Sequence, residues 1–176
     1  MPPLLLVVSG LPAAGKSTLG RALATDLRLP FVTKDEYKQA LYDGLPGLTN
    51  AQAGPLSFAL MYHVAGVVLA AGGSAVIETH FYRGMSEPIL HALAEQHAAR
   101  LAQLHCHAPL AELARRHEAR VASGARPRID SPIDYARLPD FCNREPLALD
   151  APLLQVDTTR GDALETAVTW AREQVG

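Results

Sequence analysis

Lysine is scarce in this chain. Its 176 residues hold only Lys16, Lys34 and Lys38 among 16 basic positions, and none lies beyond residue 38. Arginine makes up the rest, which genome composition alone can explain. Three lysines placed close together are a separate matter and ask for a reason. Cysteine is equally sparse. Cys106 and Cys142 are the only two, too few for a disulfide framework and without the spacing of a zinc site. His105-Cys106-His107 has the residue types of a metal triplet, but on a strand the two histidines share one face and Cys106 takes the other, so Cys106 is expected in the core. Formal net charge is −2, which excludes a basic protein that coats nucleic acid while allowing a local basic cleft. Aromatics are 6% of the chain, and only Phe81 and Tyr82 stand together as a stacking pair. The run Leu4 to Val8 is far too short to cross a bilayer. No basic segment precedes it as in a secretory leader, so no membrane association is expected and the expected setting is the cytoplasm. No internal repeat or low-complexity tract occurs.

What is present is a chain of one domain's length, 48% hydrophobic, in which short apolar runs alternate with helical patterns. Leu4 to Val8, Phe31 to Thr33, Ala75 to Ile77, Leu101 to Cys106 and Leu153 to Val156 read as strands. Helices are expected over residues 16–28, 35–43, 55–71, 86–99, 109–122 and 162–174. Thr33 with Glu36, and Asp162 with Glu165, fit capping boxes. Residues 44–54 read as a Gly/Pro-rich loop, and 123–140 as a mobile polar connection. Such alternation requires right-handed crossovers and a parallel sheet. The expected architecture is α/β: a three-layer P-loop NTPase fold, one domain over 1–176, with about five parallel strands flanked by helices and a short lid near 120–140. Ligands in such sheets bind beyond the carboxyl ends of the strands.

Gly10-Leu11-Pro12-Ala13-Ala14-Gly15-Lys16-Ser17-Thr18 matches G-x-x-x-x-G-K-[ST] in full, between a buried strand and an amphipathic helix. Gly10 and Gly15 let the backbone curl so that its N–H groups face phosphate oxygens. The helix start adds partial positive charge. Lys16 reaches the terminal phosphates, and the Ser17 hydroxyl is a Mg²⁺ ligand. Gly10, Ala13, Ala14, Gly15, Lys16, Ser17 and Thr18 are thus expected to hold the nucleotide.

Asp35 stands at the end of the second strand. It reads either as a general base for a substrate hydroxyl or as a helix cap, the cap being already supplied if Thr33 and Glu36 form their box. Lys38, one turn on, either holds an anionic substrate group or is a solvated lysine. Lys34 is expected to point away from Asp35 and to be structural. Glu78 ends the third strand at the position of a Walker-B acid that holds Mg²⁺ or its water; the alternative is an acid in solvent. His80, Tyr82 and Arg83 follow on a loop beside the acceptor pocket, with His80 and Arg83 as candidate substrate contacts. Arg116 and Arg120 share a helix face that leads toward Arg126 and Arg128. This set suits either a lid closing on triphosphate or complementation of a helix dipole.

In this order the phosphate loop, Thr33-Lys34-Asp35-Glu36-Tyr37-Lys38, Val76-Ile77-Glu78-Thr79 and the stretch from Ala108-Pro109 to Ala119-Arg120 resemble the small AAA-type P-loop kinases. Nearest among these is the kinase domain of polynucleotide 5′-kinases, with zeta-toxin-like and chloramphenicol-phosphotransferase-like enzymes further off. The resemblance implies ATP and Mg²⁺, a hydroxyl acceptor, Asp35 as base, Arg116 over the nucleotide and Arg120 on the phosphates. It also implies that the loop Asp157-Thr158-Thr159-Arg160 borders adenine, with Thr159 among the nucleotide contacts. Two departures stand out. Glu78 replaces Asp, and Lys38 stands where polynucleotide kinases tend to carry an Arg for a nucleic-acid phosphate. The expected activity is therefore ATP-dependent phosphoryl transfer to a hydroxyl of a small metabolite or antibiotic, catalysed by Lys16, Asp35 and Arg120. A polynucleotide 5′-hydroxyl acceptor is the second reading, disfavoured by the net charge, the sparse stacking aromatics and the expected lack of a second catalytic domain. A non-catalytic nucleotide switch is the third. A GTPase switch would need N-K-x-D and D-x-x-G, and Asn143-Arg144-Glu145 does not match.

Overall fold

Five parallel strands form one sheet in the order β2-β3-β1-β4-β5. The computed structural model describes residues 2–138, 142 and 144–176. The strands are β1 (Leu4–Ser9), β2 (Phe31–Thr33), β3 (Ala75–Glu78), β4 (Arg100–His107) and β5 (Leu153–Asp157). The helices are α1 (Lys16–Leu27), α2 (Lys34–Gly44), α3 (Asn50–Ala70), α4 (Ser86–Gln96), α5 (Leu110–Ala122) and α6 (Ala163–Val175).

β1 is the central strand, and every one of its six residues is buried. Its continuous apolar run follows from the pleat. Leu4, Leu6 and Val8 enter the core that contains Leu19 and Leu23 of α1 and Ala167 and Ala171 of α6. Leu5 and Val7 point to the opposite core, with Met61, Ala65 and Leu69 of α3 and Leu90 of α4. A strand covered on both faces cannot alternate with polar residues. The chain leaves β1 on one side to build β2 and β3, then crosses to β4 and β5 on the other. The strand order thus reverses at β1, and that reversal opens a crevice at the carboxyl ends. Register sets what meets there: Glu78 lies level with Val8 on one side and with Thr33 on the other.

Four local expectations fail for definable reasons. The 44–54 loop is shorter than its composition suggests, because α3 begins at Asn50. There Thr49 and Gln52 form a capping box, and Pro55 lies inside the helix, past its first turn. Thr33 does not cap α2: its hydroxyl donates to Glu78 Oε2 at 2.9 Å, and Glu36 pairs instead with Arg21. Asp162 precedes α6 but makes no side-chain cap, since Arg160 takes both of its carboxylate oxygens. The 123–140 connection is not uniformly polar and solvated. Asp130 and Tyr135 are buried, and the Tyr135 hydroxyl donates to the Pro12 carbonyl at 2.9 Å. Pro139 and residue 140, at the end of the expected lid, lie outside the described residues. By length and composition α3 could cross a membrane, but Ala53, Ser57, Met61, Ala65 and Leu69, spaced four apart, form a fully buried stripe along it. Cys106 is in the core, as its strand position requires, and burial pushes its thiol up to about 12.

The turn after β1 depends on Gly10. Its φ is +135°, and a Cβ there would lie 2.2 Å from the Cys106 carbonyl oxygen. The oxygen is backbone and the backbone fixes where a Cβ lies, so no rotamer can relieve the clash. Gly10→Ala is expected to lower stability by about 1–3 kcal/mol or more, read as a fall in the urea midpoint. An unchanged midpoint would show that β1 and β4 can separate at no cost.

Candidate active site

Two cavities meet at the carboxyl ends of the strands. The larger, about 770 Å³, is lined by residues of α2, α3, the β3–α4 connection and the segment after α5. The smaller groove, about 430 Å³, runs between the Gly10–Thr18 turn, Arg116 and Thr158. Ala13, Lys16, Ser17 and Arg120 line both.

The turn between β1 and α1 is curled by three residues with positive φ: Gly10, Ala13 at 61° and Gly15 at 84°. Gly15 leaves room for Thr158, whose methyl would sit 3.1 Å from a Cβ at that position. Ala14 is buried inside the turn. α1 starts directly at Lys16 with no acidic residue in its first turn, so its positive end is not neutralised from within. Lys16 is only 8% exposed. Its ammonium donates to the Leu11 carbonyl at 2.8 Å and lies 3.9 Å from Glu78. Burial pulls its pKa below the usual lysine value, and the Glu78 carboxylate opposes that shift.

Glu78 gathers the strand ends. Its Oε2 accepts from Ser17 at 3.1 Å and from Thr33 at 2.9 Å. A hydroxyl and a carboxylate side by side are hard oxygen donors of the kind Mg²⁺ takes when it keeps most of its water, so the donor set fits that ion. Among the described residues no cluster of three or more His, Cys, Asp or Glu offers a further metal site.

Asp35 and Lys38 both line the larger cavity. Asp35 accepts from Lys34 at 3.5 Å and from Arg126 at 3.4 Å. Its own burial works to raise the carboxyl, but Lys34, Arg126 and Lys16 outweigh it and hold the group below its ordinary value. Lys38 is 7% exposed and makes no ion pair among the described residues, its nearest partner being the Tyr42 ring at 5.8 Å. Burial and then Lys34 pull its pKa down. His80 lines the cavity, contacts the Tyr82 hydroxyl at 2.9 Å and lies edge-on to Phe58. Burial, reinforced by the lysines, lowers it to about 3, so it is a neutral ring at physiological pH.

On the groove side, Arg116 is fixed by Glu112 at 2.7 Å and donates to the Thr158 hydroxyl at 2.9 Å and to its carbonyl at 3.2 Å. Thr18 lines the groove as well. Arg120 pairs with Asp130 at 3.0 Å and contacts His117 Nδ1 at 3.0 Å.

Four expectations are corrected here. Lys34 does not point away: it is 5% exposed, lines the cavity and reaches Asp35. Its stem is long enough to fold back from the first turn of α2. Thr158, not Thr159, lines the groove, because Thr159 turns both its amide and its hydroxyl onto Asp157. Arg83 lies off the cavity lining and pairs with Glu145. Arg126 and Arg128 sit on the acceptor side rather than over the groove: Arg126 is on Asp35 and Asp130, and Arg128 stacks 3.8 Å above the Tyr42 ring. Phe58, Tyr62, His117 and Asp130 were not singled out from the sequence. A helix face that lines a cavity has the same pattern as one that faces a core.

Residues 5–135 match the model of the AAA_33 family, described as an AAA domain. The chain belongs to the AAA_33 family. It is 36% identical over 112 residues to a shikimate kinase of Pseudomonas syringae pv. tomato, an alignment covering 56% of this chain and 64% of that protein. A shikimate kinase of Pseudomonas fluorescens is 34% identical over 109 residues, with 54% and 62% covered. The AAA_33 chain thus spans less than two thirds of the length of these curated relatives. Among solved structures it is similar to a putative kinase from Chloroflexus aurantiacus at 34% identity and a TM-score of 0.86, with 99% of this chain and 96% of that one covered. An APS kinase of Mycobacterium tuberculosis in complex with AMPPNP and APS shares the fold at 17% identity and a TM-score of 0.62, with 99% and 96% covered. The fold is the one these kinase structures have.

The lowered carboxyl of Asp35 makes a signed prediction. A group depressed in the folded state adds stability above its unfolded value, near about 3.9, and loses it as pH falls through the folded value. The urea-midpoint difference between wild type and Asp35→Asn should therefore stay level from pH 8 to 5. Below about pH 4 it should shift against the wild type. A difference that begins to change above pH 5 would mean that burial, not the cations, dominates.

Proposed function

We propose that this chain is an ATP-dependent phosphotransferase acting on a hydroxyl of a small molecule. The observation that carries the reading is the junction of the two cavities at Lys16, Ser17 and Arg120, with Asp35 on the wall of the larger one. A nucleotide in the groove against Gly15, Thr18, Arg116 and Thr158 would direct its terminal phosphate to that junction. In the proposed step the acceptor oxygen attacks the γ-phosphorus, and its proton passes to an Asp35 carboxylate oxygen. The bond to the β–γ bridging oxygen breaks, and ADP leaves with the electron pair. Lys16 and Arg120 offset the charge on the transferring group. Ser17 and Glu78 would hold Mg²⁺, which, when bound, neutralises phosphate charge.

The walls of the acceptor cavity suit a compact substrate. Phe58, Tyr62, His80 and Tyr82 offer ring surface, with Met85 and Ile89 beside them. Among the described residues Lys38 is a buried ammonium with no carboxylate in ion-pair contact, an arrangement that favours an anion. The best-supported acceptor is thus a ring-sized hydroxyl compound bearing a carboxylate or phosphate. The relatives named shikimate kinase and APS kinase support a small acceptor. A cavity of this size suits a single molecule better than a polynucleotide strand, and a base placed beside the phosphate junction has no role in a non-catalytic switch.

Two outcomes test this. Asp35→Asn should leave ADP affinity within about twofold while kcat falls by roughly 10²-fold or more, measured by coupled ADP release and by calorimetry. Unchanged turnover would remove Asp35 from the chemistry. In a screen of hydroxylated carboxylates, sugar phosphates, neutral polyols and 5′-hydroxyl oligonucleotides, the anionic small molecules should release ADP, and Lys38→Met should raise their KM about tenfold. Turnover of neutral polyols alone would overturn the anionic acceptor.

A further inference from the structure

Asp130 is 8% exposed and carries two arginines from different sides of the site. Its Oδ1 forms an ion pair with Arg120, 3.0 Å from a buried Nε that makes no hydrogen bond, and accepts from Arg126 Nη2 at 3.0 Å. Its Oδ2 accepts from Arg126 Nε at 3.1 Å. Arg120 lines both the groove and the larger cavity. Its Nη2 contacts His117, while its Nε faces Asp130 without a hydrogen bond, so the guanidinium keeps donors for an oxygen anion. Arg126 also touches Asp35, through one contact from Nη1 to Oδ2 at 3.4 Å. A continuous chain of charges therefore runs Arg120–Asp130–Arg126–Asp35, from the phosphate side to the carboxylate that an acceptor hydroxyl has to reach.

The contacts in this chain are unequal. Arg126 holds Asp130 by two short hydrogen bonds and Asp35 by one long one. Arg120 and Arg126 also share a single oxygen, so whatever takes charge from Arg120 leaves that oxygen to Arg126. We propose that Asp130 is a positioning residue that links the two halves of the site: a terminal phosphate at Arg120 strengthens the grip of Asp130 on Arg126, and Arg126 withdraws from Asp35. Until then Arg126 occupies one oxygen of the carboxylate that the acceptor must approach. The acceptor position thus becomes available in register with the triphosphate, and a diphosphate does not open it. This inference rests on the kinase reading for the identity of the phosphate.

The test uses nucleotide binding and needs no acceptor. If the Arg126–Asp35 contact must break when the third phosphate arrives, removing it in advance removes that cost. Arg126→Met should tighten AMPPNP by about threefold, the scale of a half-exposed ion pair, while ADP affinity stays within experimental error. Asp35→Asn should do the same, and the double variant should add nothing further. In an Asp130→Asn background, Arg126→Met should no longer move the AMPPNP-to-ADP ratio. A purely structural Asp130 would weaken both nucleotides alike. An unchanged ratio in Arg126→Met, or additive effects in the double variant, overturns the link while leaving the kinase reading intact. The Arg126/Asp35 cycle decides the matter even if Asp130→Asn does not fold. A wild-type protein that binds neither nucleotide overturns both.

Discussion

One buried carboxylate holds the site together. Glu78 ends β3, the strand between β1 and β2, and its Oε2 receives the Ser17 and Thr33 hydroxyls while Lys16 stands at 3.9 Å from its Oε1. Three segments are thereby fixed relative to one another: the phosphate turn with the start of α1, the end of β2, and the end of β3. The extra methylene of Glu over Asp matters in this light. It lets a group anchored on β3 reach both neighbours at once. A buried acid with two hydroxyl donors and a nearby ammonium has its charge compensated. Without it, Lys16 would lose the attraction that opposes the effect of burial on its ammonium.

Much of this was legible in the sequence, and for identifiable reasons. The Gly10–Thr18 pattern and the unbroken run Leu4–Val8 need no partner to be read, since local chemistry and double-sided burial each leave a contiguous signature. Asp35, Lys38, His80 and Glu78 were reachable because strand ends mark the ligand side of a parallel sheet. What was not legible depends on side chains meeting across long separations. Lys34 looks structural from its neighbours, yet lies in the cavity because its stem folds back. Thr33 looks like a cap but finds Glu78, 45 residues away. Arg128 looks like a phosphate ligand but finds the face of Tyr42. For Thr33 and Arg128 a tertiary partner took the place of the local reading, a competition that spacing rules cannot decide.

The distribution of lysine acquires a physical meaning. All three lysines are less than 9% exposed and all line the same cavity. Lysine is a compact point charge on a flexible stem, suited to reaching inward toward a ligand. Arginine is a planar fork suited to bridging two oxygens. The chain divides the two accordingly. Lysines 16, 34 and 38 face the cavity, while Arg116, Arg120 and Arg126 span contacts between segments. The general preference for arginine remains compositional. The exceptions to it mark the site.

That charge distribution bears on how Asp35 can act as a base. Lys34, Arg126 and Lys16 hold its carboxyl below the ordinary value, which weakens its pull on a proton. A reaction that required full deprotonation of the hydroxyl before attack would be poorly served. Phosphoryl transfer through a loose transition state asks for less: the γ-phosphoryl has largely left its bridging oxygen before the new bond forms, and the hydroxyl proton departs late, when it is already acidic. A weak base in a fixed place then suffices, and its main contribution is to aim the acceptor oxygen. The surrounding cations are useful for the same reason, since charges that depress Asp35 also offset the charge developing on the transferring phosphoryl and bridging oxygen. One electrostatic arrangement thus weakens the base and assists departure of ADP, and the chemistry tolerates the first because it depends more on the second.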